Sequence, residues 1–367
     1  MGNIPFGAML TAMAYVSTGS WLVAGLAGGG ATASSALTSW GYGRLLDRWG
    51  ASRILLASSP GALAVLFLVP ARGSVAVIFL ALFVGALKPP SGTVVRSAWQ
   101  RKFKDDVELR SAAYGLDSSL SPIAGALGAA VGALLLSGLG EATVGFFLAG
   151  LLLSSSLGLY LHPAVAGIVA SERTGRKEAA PPLLSPVRLA LASGFASWAA
   201  LGGVEITIGV LWGPETMLWA SSLSIFTVAL GAFGFTSRAG RQPALVSVRT
   251  GLVASLLSLL ALSLLMTLDP LLAVLAAATL GFGRGLIASA AVEALAESAP
   301  ERRMSEVMGL YGSGTLLGQA GYRPLAALLV GVFPALSLVV PAALCGSLAL
   351  LITREGQESP GRISESK

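Results

Sequence analysis

Charged residues are scarce in this sequence. They make up 11% of the 367 residues, whereas a typical soluble protein carries about 25%. So little charge cannot cover a globular surface of this size, which argues against a soluble enzyme. The formal net charge of +6 would suggest nucleic-acid binding in a soluble protein, but in a membrane protein basic residues gather in cytoplasmic loops. We therefore expect no nucleic-acid partner.

Several residue types and motifs that carry chemistry are also missing. The single cysteine, Cys345, excludes an internal disulfide bond and a cysteine-based metal cluster. The chain has no Gly-Lys dipeptide for a phosphate-binding loop, and it has neither His-Glu-x-x-His nor Gly-x-Ser-x-Gly, the motifs of zinc and serine hydrolases. We therefore predict that the protein is not an enzyme and holds no cofactor or metal.

Long apolar runs are abundant instead. Hydrophobic residues make up 54% of the chain, the mean hydropathy is +0.78, and many of the 46 glycines lie in apolar runs. Because a helix needs about 20 apolar residues to cross a bilayer, we predict an all-α polytopic membrane protein with about twelve transmembrane helices. The first is short, which predicts a truncated start or a locally thinned bilayer. The predicted spans are 4–19, 22–43, 54–70, 74–95, 111–137, 142–161, 187–211, 217–237, 244–267, 270–295, 306–331 and 333–353.

Basic residues lie on one set of alternating loops. These loops, with the adjoining helix ends and the C-terminal tail, contain 20 of the 24 Lys and Arg residues. The opposite loops contain Arg72 beside the acidic Glu141, Glu215 and Asp269. Positively charged loops stay in the cytoplasm, so we predict that both termini are cytoplasmic. Arg outnumbers Lys, and Ala and Gly are frequent, which favours a bacterial protein of the inner membrane.

The longest polar connection divides the chain into two similar parts. Six spans precede it and six follow it, and the basic loop at 43–53 has a counterpart at 234–241. Repeats of this kind are typical of secondary transporters. The predicted units are an N-terminal half at 1–161, a cytoplasmic loop at 162–186, a pseudo-symmetric C-terminal half at 187–353 and a cytoplasmic tail at 354–367.

One loop carries a recognisable motif. Gly43, Asp47, Arg48 and Gly50 are followed by Arg53, and this spacing between spans 2 and 3 resembles the signature loop of the major facilitator superfamily. The two residues before Arg53 are not basic, as they usually are in that family. The resemblance implies that these five residues form a gating loop. A narrower resemblance, to compact actinobacterial drug or metabolite exporters, involves residues 110–117.

The family resemblance implies a mechanism and a set of partners. It implies transport by alternating access, with spans 1, 4, 7 and 10 lining a central pathway. The expected partners are a small-molecule substrate, protons or another coupling ion, and the lipid bilayer, with the chain acting as a monomer.

Three charged residues and a tryptophan are candidates for that pathway. Charged side chains inside spans are costly and usually face a cavity or a partner. Glu205 is the candidate for proton coupling, because burial disfavours its charged form; the alternative is a fixed ion pair with Lys88 or Arg284. Arg284 is a candidate ligand for a substrate anion. Lys88 either serves a similar anion site beside a helix break or extends to the inner interface. Trp198 either lines an apolar pocket or takes an ordinary core or lipid-facing position.

Two further charged residues are expected to have structural roles. Asp117 lies about two turns inside span 5, so we expect it to bind the cytoplasmic Arg residues. Arg323 is expected to pair with a carboxylate of the second half.

These features predict proton-coupled export of a small amphipathic molecule, such as a drug or secondary metabolite. The alternative is uptake or exchange of a small organic anion, suggested by Lys88 and Arg284. A remote alternative is a membrane receptor or scaffold that transports nothing.

Overall fold

The computed structural model describes residues 5–103, 107–166, 185–236, 244–265, 268–298 and 304–358, and these consist of helices joined by short turns, with no β-strand. The described helices are α1 (Pro5–Thr18), α2 (Trp21–Trp49), α3 (Ala51–Ser58), α4 (Pro60–Leu68), α5 (Ser74–Ala86), α6 (Ser91–Lys102), α7 (Val107–Leu139), α8 (Glu141–Leu161), α9 (Pro163–Ala166), α10 (Ser185–Thr236), α11 (Ala244–Leu265), α12 (Pro270–Ser298), α13 (Met304–Val332) and α14 (Leu336–Glu358).

The apolar helices are those of a multi-pass membrane protein. Seven helical stretches within the described residues are long and apolar enough to cross a membrane. Two shorter apolar stretches, Phe6–Thr18 and Ser74–Ala86, add to them. The predicted count of twelve spans in two six-helix halves is not confirmed. α2 and α13 are not among these apolar stretches, because Gly, Ser, Thr and charged residues interrupt their apolar sequences.

Prolines interrupt the hydrogen bonding of two predicted spans. The span predicted at 54–70 comprises α3 and α4, and Ser59 between them keeps helical φ and ψ, so Ala51–Leu68 remains one continuous apolar stretch. The span predicted at 74–95 ends at Ala86, and a new helix begins at Ser91. The two prolines in this second break lack the N–H groups that would continue α5.

Two other predicted spans are joined. A five-residue loop was expected between 187–211 and 217–237, but both lie in α10, which turns back at Gly213. The backbone there has φ 89° and ψ 168°, a conformation that only glycine adopts readily. Pro214 follows, and its ring suits the first turn of a new helix arm. α10 is therefore two antiparallel arms about a one-residue turn.

The predicted gating loop is mostly helical. α2 continues to Trp49, and the chain leaves it only at Gly50, where φ is 79°. The backbone of Gly43, Asp47 and Arg48 is helical, and the side chains of Asp47 and Arg48 lie outside the described residues. Arg53 is exposed on α3. The motif predicted between spans 2 and 3 therefore begins within α2, and its turn lies at Gly50.

The predicted polar connections are only partly described. The connection at 162–186 begins with α9, and residues 167–184 lie outside the description. The tail expected from residue 354 begins as helix, because α14 extends to Glu358.

Small residues bring α2 against α13 and α10. A Cβ atom on Gly25 would lie 3.0 Å from the carbonyl oxygen of Arg323, and one on Gly29 would lie 2.6 Å from that of Ala320. The ring of Trp21, stacked on Tyr15, occupies the space beside Gly209 of α10. Such close helix contacts are typical of glycine in membrane proteins. They place the middle of α2 beside the charged residues of α10 and α13.

Candidate functional site

An ion pair between α10 and α13 forms the centre of the candidate site. Glu205 and Arg323 are buried, with side-chain exposures of 2% and 0%. Arg323 Nη2 lies 2.5 Å from Glu205 Oε2, and Nε donates to the same oxygen at 3.1 Å. The carboxylate predicted to pair with Arg323 is therefore that of Glu205. The alternative interpretation of Glu205, a fixed ion pair with Lys88 or Arg284, was wrong in its partner, because Arg323 binds the carboxylate.

Two polar side chains complete the coordination of Glu205. Gln319 Nε2 donates to Oε2 at 3.2 Å, and Ser221 Oγ donates to Oε1 at 3.1 Å. Gln319 lies one helical turn before Arg323, so both side chains reach the same face of α13. Ser221 comes from the second arm of α10, which the turn at Gly213 folds back beside the first. The sequence did not reveal this cluster, since its members are far apart along the chain.

Arg323 also contacts α2 and α1. Its Nη1 donates to the carbonyl oxygen of Gly28 at 3.2 Å and to Thr32 Oγ1 at 3.1 Å. Gly7 of α1 lies so close to the guanidinium that a Cβ atom there would clash with Nη1. One buried guanidinium therefore connects α10 and α13 with the first two helices of the chain.

Arg284 lies near this cluster but is bonded differently. Its side chain is buried, and its Cζ lies 4.6 Å from the ring centroid of Trp198. Its Nε and Nη1 atoms have no hydrogen-bond partner in the described part of the chain. Arg284 forms no ion pair with Glu205, whose carboxylate is bonded to Arg323. The Trp198 ring therefore packs against the buried guanidinium of Arg284.

Tyr311 is a residue that the sequence analysis missed. It is 9% exposed, and its hydroxyl has no partner among the described residues. Its ring packs on α10, where a Cβ atom at Gly194 would lie 2.7 Å from Tyr311 Cε2. Gly194 lies one turn before Trp198, so Tyr311 and Arg284 pack on adjacent turns of α10. A lone tyrosine in an apolar helix usually belongs to the core, so no signal in the sequence singled it out.

Lys88 lies apart from Glu205. It is 6% exposed, and its Nζ lies 4.9 Å from the ring centroid of Phe6. The Lys88 ammonium therefore packs inside the protein, against α1. The backbone of Asp117 belongs to α7, but its side chain lies outside the described residues. The described residues contain no group of three or more His, Cys, Asp or Glu that could hold a metal ion.

The fold is that of known membrane transporters. A POT family transporter in complex with 5-aminolevulinic acid superposes with a TM-score of 0.73 at 13% identity, covering 96% of this chain and 92% of that one. A POT peptide transporter in complex with alafosfalin gives 0.70 at 17% identity, covering 97% and 91%. The human organic anion transporter TETRAN gives 0.64 at 16% identity, covering 95% and 97%. These low identities show the fold alone.

At the level of sequence, no curated protein matches the chain. Residues 1–320, however, match the sequence profile of the Major Facilitator Superfamily. This match covers most of the chain and agrees with the resemblance of the motif around Gly50. The protein is therefore a member of the Major Facilitator Superfamily, a multi-pass membrane transporter rather than an enzyme.

Proposed function

We propose that this transporter couples proton movement to the export of a small amphipathic molecule by alternating access. It would work as a monomer in a bacterial inner membrane, with both termini cytoplasmic and two six-helix halves moving around a central site. Export as the direction follows from the resemblance to drug and metabolite exporters through residues 110–117. Membership of the superfamily supports transport of a small substrate.

The observation that carries proton coupling is the environment of Glu205. This acid is buried, and Arg323 links it directly to Gly28 and Thr32 of α2. Protonation of Glu205 would leave the Arg323 guanidinium buried without its counter-charge, a change that typically costs about 3–5 kcal/mol. The guanidinium would then be more stable in a conformation in which it reaches water or another anion, and its contact with α2 would be lost there. Proton binding at one residue would in this way change how the two ends of the chain pack together.

Glu205→Gln tests the coupling. The amide keeps the size of the side chain and removes the proton cycle. In everted vesicles with an imposed pH gradient, we expect the wild type to accumulate at least one dye from a panel that contains both cationic and anionic amphipathic compounds. Glu205→Gln should lose gradient-driven accumulation but keep counterflow exchange of the same dye.

Arg72→Gln is the matched control for this experiment. Arg72 is largely exposed and pairs with Glu141 at 2.6 Å, away from the Glu205 cluster, so its replacement should leave accumulation unchanged. Full accumulation by Glu205→Gln would remove Glu205 from the coupling mechanism. If the wild type moved no dye in either direction, the export proposal itself would be wrong.

A second candidate function is uptake or exchange of a small organic anion. The observation that favours it is the buried guanidinium of Arg284, whose Nε and Nη1 have no partners in the described residues. In right-side-out vesicles, this function predicts anion entry that increases when the outside is acidified. Export predicts dye exit with proton entry instead.

A further inference from the structure

Two buried polar side chains of α12 and α13 have unused hydrogen-bond donors. Arg284 is 4% exposed and Tyr311 is 9% exposed. Among the described residues, no acceptor bonds to Arg284 Nε, Arg284 Nη1 or Tyr311 Oη. Together these atoms carry three N–H groups and one O–H group. Buried donors are normally satisfied, so a group of them at one place indicates a missing acceptor.

Glycines fix the position from which Arg284 extends. Gly281 and Gly285 pack on the second arm of α10, where a Cβ atom would clash with the carbonyl oxygens of Ser224 and Val228. Gly283 packs on α11, with a Cβ position 2.8 Å from the carbonyl oxygen of Gly251. The backbone of α12 is thus held between two neighbours. The long side chain of Arg284 extends from this segment toward Trp198 on the first arm of α10.

The positive charge of Arg284 is not neutralised by its described neighbours. Glu205 is engaged by Arg323, Gln319 and Ser221, and no described carboxylate lies within ion-pair distance of Arg284. The Trp198 ring, at 4.6 Å, stabilises the cation through its face. A ring face is a much weaker acceptor for N–H groups than a carboxylate or phosphate oxygen.

We propose that Arg284 and Tyr311 bind the oxyanion of an amphipathic substrate, with Trp198 as the apolar wall beside it. The guanidinium and the phenol would donate to carboxylate or phosphate oxygens, and the indole would contact the apolar body. One cation fits one negative charge, so the substrate class is an amphipathic organic monoanion. The role of this anion as transport cargo rests on the proposed function, but the site itself does not.

A binding measurement tests this site without any transport. The full-length protein in detergent micelles is titrated with 1-naphthoate and with neutral 1-naphthylmethanol, following tryptophan fluorescence and thermal unfolding. We expect the naphthoate to bind the wild type at least 10-fold more tightly than the alcohol, the range given by hydrogen bonds to a charged group. Inorganic phosphate alone should bind weakly, since it has no apolar body to contact Trp198.

Variants assign the binding to the two residues. Arg284→Gln should weaken naphthoate binding about 10-fold to 100-fold and leave binding of the alcohol unchanged. Tyr311→Phe keeps the ring packed on Gly194 and should weaken naphthoate binding about 3-fold to 10-fold. Arg72→Gln removes one positive charge elsewhere and should bind naphthoate like the wild type.

Three results would overturn the proposal. They are equal affinity of the wild type for naphthoate and the alcohol, no binding of naphthoate, or unchanged naphthoate affinity in Tyr311→Phe. The last variant decides the question even if Arg284→Gln does not fold. The titration itself separates the two proposals, because it involves no pH gradient: naphthoate binding without gradient-driven accumulation would support the site and contradict proton-coupled export. Tight binding of inorganic phosphate would assign the site to a free anion rather than an amphipathic one.

Discussion

At the scale of single residues, the positive charges within the apolar helices differ in the groups that neutralise them or accept their hydrogen bonds. Arg323 has a carboxylate, a carbonyl oxygen and a hydroxyl group around it. Arg284 has the face of an indole, and Lys88 has the face of a phenyl ring. A cation whose charge and hydrogen-bond donors are all satisfied within the protein suits a residue that holds helices together. A cation with unused donors suits a residue that binds a ligand. This contrast is the reason for giving Arg323 and Arg284 different roles.

The ion pair predicts a double-mutant result. Arg323→Gln leaves Glu205 buried without a counter-charge and should lower the free energy of unfolding by about 3–5 kcal/mol. The double variant Glu205→Gln, Arg323→Gln has no buried charge at this place, so it should recover much of that loss. Thermal unfolding of the four proteins in one detergent gives the coupling energy.

The control for this cycle is Arg72→Gln, alone and combined with Glu205→Gln. Arg72 lies outside the network, so its effect should add to that of Glu205→Gln within about 0.5 kcal/mol. A double variant at Glu205 and Arg323 that is no more stable than Arg323→Gln would show that the pair is not the source of the loss.

At the scale of helices, the turn at Gly213 holds the cluster together. It folds the second arm of α10 beside the first, and this brings Ser221 to Glu205. Gly213→Ala puts a side chain on a backbone at φ 89°, which typically costs about 1–3 kcal/mol. We expect a lower unfolding temperature for this variant and weaker proton coupling in the vesicle assay.

Gly150→Ala is the matched control for the turn. Gly150 lies within α8, and a Cβ atom there would meet nothing within 4 Å. Since alanine favours a helix over glycine by about 1 kcal/mol, this variant should be as stable as the wild type or slightly more stable. Equal stability of Gly213→Ala and the wild type would contradict the role of the turn.

Local sequence predicted some of these helices and missed others for clear physical reasons. Apolar runs bounded by charges correctly indicated membrane helices, because crossing lipid requires both an apolar surface and satisfied backbone groups. The break after Lys88 was visible in its two prolines. The single-residue turn at Gly213 was not, since glycine is frequent throughout the chain. The partner of Glu205 was also not predictable, because it depends on how α10, α13 and α2 pack.

At the scale of the whole molecule, one described crossing sets the orientation of its neighbours. The stretch Ala51–Leu68 is apolar and long enough to span a membrane once. Arg53 lies near its beginning and is exposed, and Ser74 lies beyond its end and is also exposed. The two residues should therefore be on opposite sides of the membrane. The distribution of basic residues predicts that Arg53 is on the cytoplasmic side.

Cysteine labelling tests this orientation. The native Cys345 is buried, and Cys345→Ser removes it as a background signal. In intact cells, a membrane-impermeant maleimide should label Ser74→Cys and leave Arg53→Cys unlabelled. In everted vesicles the pattern should reverse, because the cytoplasmic side then faces the reagent. Labelling of Arg53→Cys in intact cells would place the basic loops outside and would contradict the predicted topology.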